Sequence, residues 1–97
     1  MAKNDAAERL AALDAVIGAL AHPARRQILF TIHLRDGQMT AGDIAGRFRH
    51  SWPTTTRHLR VLEEAGLVTV EASGRTRVYR TNIERLRIVR QWLDAFE

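Results

Sequence analysis

A single change of hydrophobic period, at Gly66, restricts this chain more than any other feature. Before it, in "SWPTTTRHLRVLEEA" (residues 51–65), Leu59, Leu62 and Ala65 recur at helical spacing. After it, "LVTVE" (67–71) and "TRVYRT" (76–81) are β-branched and alternate with period two, with "ASGR" between them. That pattern predicts a hairpin. Gly66 suits the left-handed residue that closes a helix. A helix therefore runs directly into a twisted β-hairpin, with no linker between them.

The residues upstream are helical throughout. Ala6, Leu10, Leu13, Ile17 and Leu20 lie at helical spacing, so residues 6–20 predict an amphipathic helix. It ends near His22-Pro23, because the residue before a proline is pushed out of helical space. Pro23 then fits the first turn of a second helix, with Ile28, Leu29 and Ile32 inward, which stops at "RDG" (35–37). "MTAGDI" (39–44) marks a third start. Thr40 is the N-cap, Asp43 follows three residues on, and Met39 and Ile44 hold the positions of a hydrophobic staple. This short helix covers about 41–48, and "RHS" connects it to the fourth. A final helix is expected over 83–96, where Leu86, Ile88, Val89, Trp92, Leu93 and Phe96 cover a broader arc than one core face requires. Surplus aromatic surface on a terminal helix points to a partner chain, although packing against the first helix would also use it.

The order α-α-α-α-β-β-α is that of a mostly α (α+β) fold, a winged helix-turn-helix. Its 97 residues suit one domain, residues 1–97. A chain this short buries a modest core, which makes pairing with a second chain a natural source of stability. There is no cysteine, so disulfides and thiolate metal sites are excluded. Neither a membrane-length apolar run nor a signal-peptide pattern is present, so a cytoplasmic protein is expected. The net charge is +4, and 14 of the 15 basic residues are arginine. A GC-rich coding genome raises arginine and alanine by itself, so position says more than the total. Arg75, Arg77, Arg80, Arg85, Arg87 and Arg90 are set against one acid, Glu84. Such a segment suggests a polyanionic partner.

Winding residues 52–65 at about 100° each separates two faces. Trp52, Thr55, His58, Leu59, Leu62 and Ala65 fall on one side, and Pro53, Thr56, Arg57, Arg60 and Glu64 on the other. Ser51 is the N-cap, and Pro53 sits in the first turn, where its missing N–H costs nothing. A recognition helix enters the major groove by its N-terminal half. The short side chains Pro53, Thr54 and Thr56 would let the backbone approach base edges, and threonine offers a hydroxyl and a methyl to read. Arg57 and Arg60 extend the same face, suited to a guanine edge and a phosphate. An ordinary surface helix would also be polar outside. The preceding short helix, the tight turn and the arginine-rich hairpin favour double-stranded DNA. Arg75 and Arg77, at the hairpin tip, fit phosphate or minor-groove contact, although charge also guards an exposed strand edge.

"LAHPARRQIL" (20–29), "TAGDIAGRF" (40–48), "SWPTTTRHLRVLEEAGLV" (51–68) and "GRTRVYR" (74–80) together resemble the ArsR-type winged helix-turn-helix repressors of bacteria and archaea. The resemblance runs from about Leu20 to Thr81. It implies a homodimer built through the first and last helices (about 6–21 and 83–97). Leu10, Leu13, Ile17, Val89, Trp92, Leu93 and Phe96 are the candidate interface residues. It also implies repression by binding an inverted-repeat operator. The family's base-contacting places fall on Trp52, Pro53, Thr56 and Arg57, and Trp52 stands where the family often has a small polar residue.

The metal ligands common in the family, cysteines on the third helix or His, Asp and Glu on the last, are not matched. His22, His33, His50 and His58 are scattered over several segments, and Asp94 and Glu97 stand alone on the last helix. No metal or other cofactor is expected, nor an enzyme, since there is no nucleophile–base pairing and no phosphate loop. Three modes of control remain open: autorepression without an effector, a partner protein, or an unidentified ligand at the dimer interface. Outside DNA binding, the competing class is a winged helix that contacts protein or RNA.

Overall fold

His22 leaves helical space at φ −92°, ψ 127°, and its Nδ1 accepts a hydrogen bond from the Ala24 N–H at 3.1 Å. The proline-driven break thus separates α1 (Ala2–Leu20) from α2 (Pro23–Leu34). The computed structural model describes residues 2–49 and 51–97, with side chains from Asp5 onward. The carbonyls at the end of α1 are not left to water. Arg25 donates to Ala19 O (2.7 Å) and Gly18 O (3.2 Å), and Arg26 donates to Leu20 O (2.8 Å) and Ala21 O (3.2 Å). The two arginines of "HPARR" therefore satisfy the open end of the preceding helix.

α1 begins four residues before the expected start, and its inward face differs from the expected stripe. Leu13, Val16 and Ala19 are buried, whereas Leu10 and Ile17 are exposed. The stripe splits because only part of it lies against α2, α4 and α5, the helices on which α1 packs.

Asp36 and Gly37 take positive φ (62° and 82°) and turn the chain into a strand that the sequence pattern had not signalled, β1 (Gln38–Thr40). Three residues are too few for alternation to show. Thr40 then caps α3 (Ala41–Arg47), its hydroxyl accepting from Asp43 N–H at 3.1 Å. Met39 and Ile44, the staple pair, are both buried. α4 (Trp52–Glu64) follows, then β2 (Val68–Ser73) and β3 (Thr76–Thr81). Gly74, at φ +61°, supplies the first position of their two-residue loop.

The sheet order is β1-β3-β2, all antiparallel. Tyr79 pairs with Met39 on one side and Val70 on the other, which places one apolar row against the helices. Arg80 serves the opposite face. It donates to Gln38 Oε1 of β1 (3.1 Å) and forms an ion pair with Glu71 of β2, so one guanidinium spans all three strands. Ile28, Ile32, Ile44, Leu62, Leu67, Val16 and Val68 are fully buried and form the centre of the core.

The end of α4 is a Schellman turn. Leu67 N–H donates to Leu62 O (3.0 Å) and Gly66 N–H to Glu63 O (2.9 Å), with Gly66 at φ +81°. Leu62 and Leu67, the apolar pair that accompanies this motif, are both fully buried. Arg85 and Asn82 then close on it, donating to Ala65 O (3.1 Å) and Gly66 O (3.0 Å). Asn82 therefore makes no cap of its own. The next turn tightens to a 3₁₀ segment (Ile83–Leu86) before α5 (Arg87–Asp94), in place of the continuous helix over 83–96 that was expected.

A Cβ at Gly66 would lie 2.9 Å from Arg85 Nε, on a backbone that L residues avoid. Gly66→Ala is expected to cost about 1–2 kcal/mol in urea unfolding. Gly46→Ala, where a Cβ meets open space, should be neutral or stabilising by up to about 1 kcal/mol.

Candidate nucleic-acid interface

Ser51 starts α4 as the sequence requires. Its Oγ accepts from Thr54 N–H (3.3 Å) and donates to Thr54 Oγ1 (2.9 Å). The two hydroxyls are thus engaged in capping. Pro53 occupies the second helical position, with its ring exposed.

α4 carries three stripes rather than the two predicted faces. His58, Leu59, Leu62 and Ala65 are buried, as the winding predicts. Pro53, Arg57, Arg60 and Glu64 form an exposed outer stripe at i, i+4, i+7 and i+11. Between these lies a third line, Trp52, Thr55, Thr56 and Leu59, at i, i+3, i+4 and i+7. It forms one wall of a cleft of about 410 Å³. The start of α3 and the hairpin residues Arg75, Thr76, Arg77 and Tyr79 complete that cleft.

Two sequence assignments change as a result. Trp52, placed on the inner side by winding, is 56% exposed. Thr56, placed on the open face, is half-buried in the cleft wall. The physical reason is position. At the first helical residue no preceding turn lies beneath the indole, and α3 and the hairpin bracket the space there instead of filling it.

Five arginines are engaged within the fold, and the others described, Arg9, Arg35, Arg47, Arg49 and Arg90 among them, are exposed without a side-chain partner. Arg25, Arg26 and Arg85 satisfy helix-end carbonyls, Arg80 ties the sheet, and Arg87 lies 3.7 Å from Glu84. Among the described residues, Arg57, Arg60, Arg75 and Arg77 are exposed and have no hydrogen-bond or ion-pair partner in the chain. The cationic run 75–90 is accordingly thinner than its sequence suggests. Arg80, Arg85 and Arg87 are engaged within the fold, while Arg75 and Arg77 at the hairpin tip and Arg90 on α5 are not.

Behind Trp52, one group was missed. Thr55 is 2% exposed, and its Oγ1 has no hydrogen-bond partner among the described residues. The winding placed it inward but gave no sign that it would lack a partner. His58, also inward, lies against the His22 ring at 4.6 Å with the planes tilted by 54°, and 3.4 Å from Arg25 Nη1, which links α4 to the α1–α2 turn.

The residues expected to pair two chains also divide. Leu13 is only 8% exposed within one chain and is buried in it without a partner. Val89 is half-buried against that core. Leu10 (60%), Ile17, Trp92, Leu93 (54%) and Phe96 (73%) are exposed, with Trp92 and Phe96 in edge-to-face contact at 5.0 Å. Phe30 and Leu34 add exposed apolar surface on α2. They were legible as apolar residues about 200° away from Ile28 and Ile32, off the inward face.

Among the described residues, no three His, Asp or Glu side chains come together as a metal cluster, and no helix is long and apolar enough to cross a membrane. His50 lies outside the described residues.

A short leading helix, a helix begun by Ser51 and Pro53, and a hairpin beside its N-terminal half define a winged helix-turn-helix. Residues 20–71 match the family model described as "Helix-turn-helix domain". The chain is 35% identical over 84 residues to the transcriptional repressor SdpR of Bacillus subtilis (strain 168), covering 87% of this chain and 91% of that one. It is 32% identical over 82 residues to the arsenical resistance operon repressor of Staphylococcus xylosus, covering 84% and 77%. A solved structure from Mycobacterium bovis, the homodimeric winged helix-turn-helix DNA-binding domain of "a possible ArsR-family transcriptional regulator", superposes with TM-score 0.69. It shows 26% identity and covers 98% of this chain and 85% of that one. The chain belongs to the ArsR-type family of winged helix-turn-helix transcriptional regulators. Its relatives are transcriptional regulators, not enzymes.

A buried hydroxyl without a partner costs free energy that a methyl does not. Thr55→Val keeps the shape and the β-branch, so it should leave stability unchanged or raise it by about 1 kcal/mol in urea unfolding.

Proposed function

We propose that this protein is a homodimeric, sequence-specific DNA-binding repressor acting on an inverted-repeat operator in the cytoplasm. One observation carries the reading. Four exposed guanidiniums without partners, Arg57, Arg60, Arg75 and Arg77, line the outer stripe of α4 and the hairpin tip beside it, where no acidic side chain among the described residues neutralises them. Unpaired arginines on a recognition helix and its wing suit base edges and phosphates.

In this reading Pro53 and Arg57 approach base edges, Arg60 and the wing arginines hold phosphates, and Thr56 and Trp52 border the contact from the cleft side. Ser51 and Thr54 set where the helix starts. The free N–H groups of that first turn add a favourable field for a phosphate. Two copies would pair through Leu10, Ile17, Trp92, Leu93 and Phe96, whose exposure in one chain leaves apolar area to bury. The M. bovis neighbour's homodimeric state supports this arrangement. Dimerisation matters for recognition because two half-sites one helical turn apart require two recognition helices at fixed spacing.

The test is recovery of bound fragments from a genomic DNA pool, with affinities then measured on the recovered site. Arg57→Ala should cost about 1–3 kcal/mol there and relax selectivity at one base pair. Arg75→Ala should weaken all sequences alike and lower the salt slope by about 1. Equal, weak binding to every duplex, or preference for single-stranded RNA, would refute the operator reading.

Sedimentation at micromolar concentration checks the dimer. The native chain should sediment at twice its chain mass, and a Leu93→Glu, Phe96→Glu double variant at the monomer mass with its fold intact.

A further inference from the structure

The cleft between α4 and the hairpin is more than a groove beside DNA. Its volume, about 410 Å³, falls within the range of small-molecule sites, roughly 300–1,000 Å³. Its wall includes Leu59, Tyr79 and the indole of Trp52, which is 56% exposed. No acidic residue lines it, and Arg75 and Arg77 stand at its border without partners. Thr55 belongs to the same wall and holds a buried hydroxyl without a hydrogen-bond partner among the described residues.

These features specify a chemistry. An apolar wall with an exposed indole favours a planar ring, held by stacking and edge contacts. The guanidinium fork matches a carboxylate, which it can hold through two parallel hydrogen bonds. A buried hydroxyl without a partner can turn by one χ1 step to another staggered position. It then gives the ligand one directional contact. We propose that this cleft binds a planar aromatic carboxylate, and that occupancy excludes DNA. The exclusion rests on the DNA-binding reading above, because Trp52, Arg75 and Arg77 would then serve both partners. The site itself does not rest on it. A ligand here would act directly on the DNA-facing elements, with no change to be relayed from a distant pocket.

The experiment uses the full chain without DNA, then with the recovered operator. Benzoate, phenylacetate and indole-3-acetate are titrated by calorimetry and by amide and indole NMR. Cyclohexanecarboxylate and inorganic phosphate serve as controls for shape and for charge alone. At least one aromatic acid should saturate, shifting the indole N–H of Trp52 and the amides of residues 75–77 while leaving the Trp92 indole unmoved. Both controls should bind at least tenfold more weakly. Thr55→Val, which leaves the outer stripe intact, should weaken the aromatic acid about tenfold with native DNA affinity. In the presence of the acid, the apparent Kd for operator should rise in proportion to its concentration.

Saturation by none of the three acids overturns the proposal. So does phosphate binding as tightly as they do, or undiminished binding by Thr55→Val. Binding at the cleft with unchanged operator affinity overturns the exclusion. If the chain binds no operator at all, the DNA reading fails, and the NMR titration still decides the cleft.

Discussion

Three consecutive carbonyls at the end of α4 hold this molecule together. Ala65 O accepts from Arg85, Gly66 O from the Asn82 amide, and Leu67 O from the Asn82 N–H at 2.8 Å. A helix end that is half-buried cannot rely on water for its carbonyls, so something must reach it. Here the donors come from the segment joining the hairpin to α5. One point therefore sets the recognition helix, the wing and the terminal helix relative to each other. Gly66 permits it twice, by its positive φ and by leaving room for the Arg85 side chain.

Arginine usage follows the same logic. A guanidinium can satisfy two carbonyls at once, which is what Arg25 and Arg26 do at the end of α1 and what Arg80 does between a carboxylate and an amide on the sheet. A count of arginines in the sequence conflates these structural roles with surface charge. Sorting by partner removes Arg25, Arg26, Arg80, Arg85 and Arg87, and leaves a free set that includes four arginines on α4 and the hairpin tip. Its value lies in being unpaired, since a cation already neutralised inside the fold has little left to offer a phosphate.

Much of the recognition helix was legible. The Ser51 cap, the Pro53 start and the inward line from His58 to Ala65 depend on neighbours within a turn or two, and the structure has them. Trp52 was misplaced because angular position predicts burial only where another element lies against that angle. β1 escaped notice because its pairing partners, Val78 to Arg80, lie about forty residues away. Leu13 and Ile17 look equivalent on the α1 stripe, yet one is core and the other surface. Only the positions of the helices packed against α1 distinguish them.

The sequence by itself determined the main breaks between elements, though not the start of α1, the strand β1 or the 3₁₀ turn before α5. His22-Pro23, Thr40, Ser51-Pro53, Gly66 and Gly74 act through backbone dihedrals and hydrogen bonds to residues two to five positions away, and such effects survive without a fold around them. Tertiary structure alone decided which arginines stay free, which apolar residues remain exposed, and that a cleft with an unpartnered hydroxyl opens beside Trp52. Those properties depend on whether a distant group arrives to cover or to pair, and no local pattern encodes that arrival.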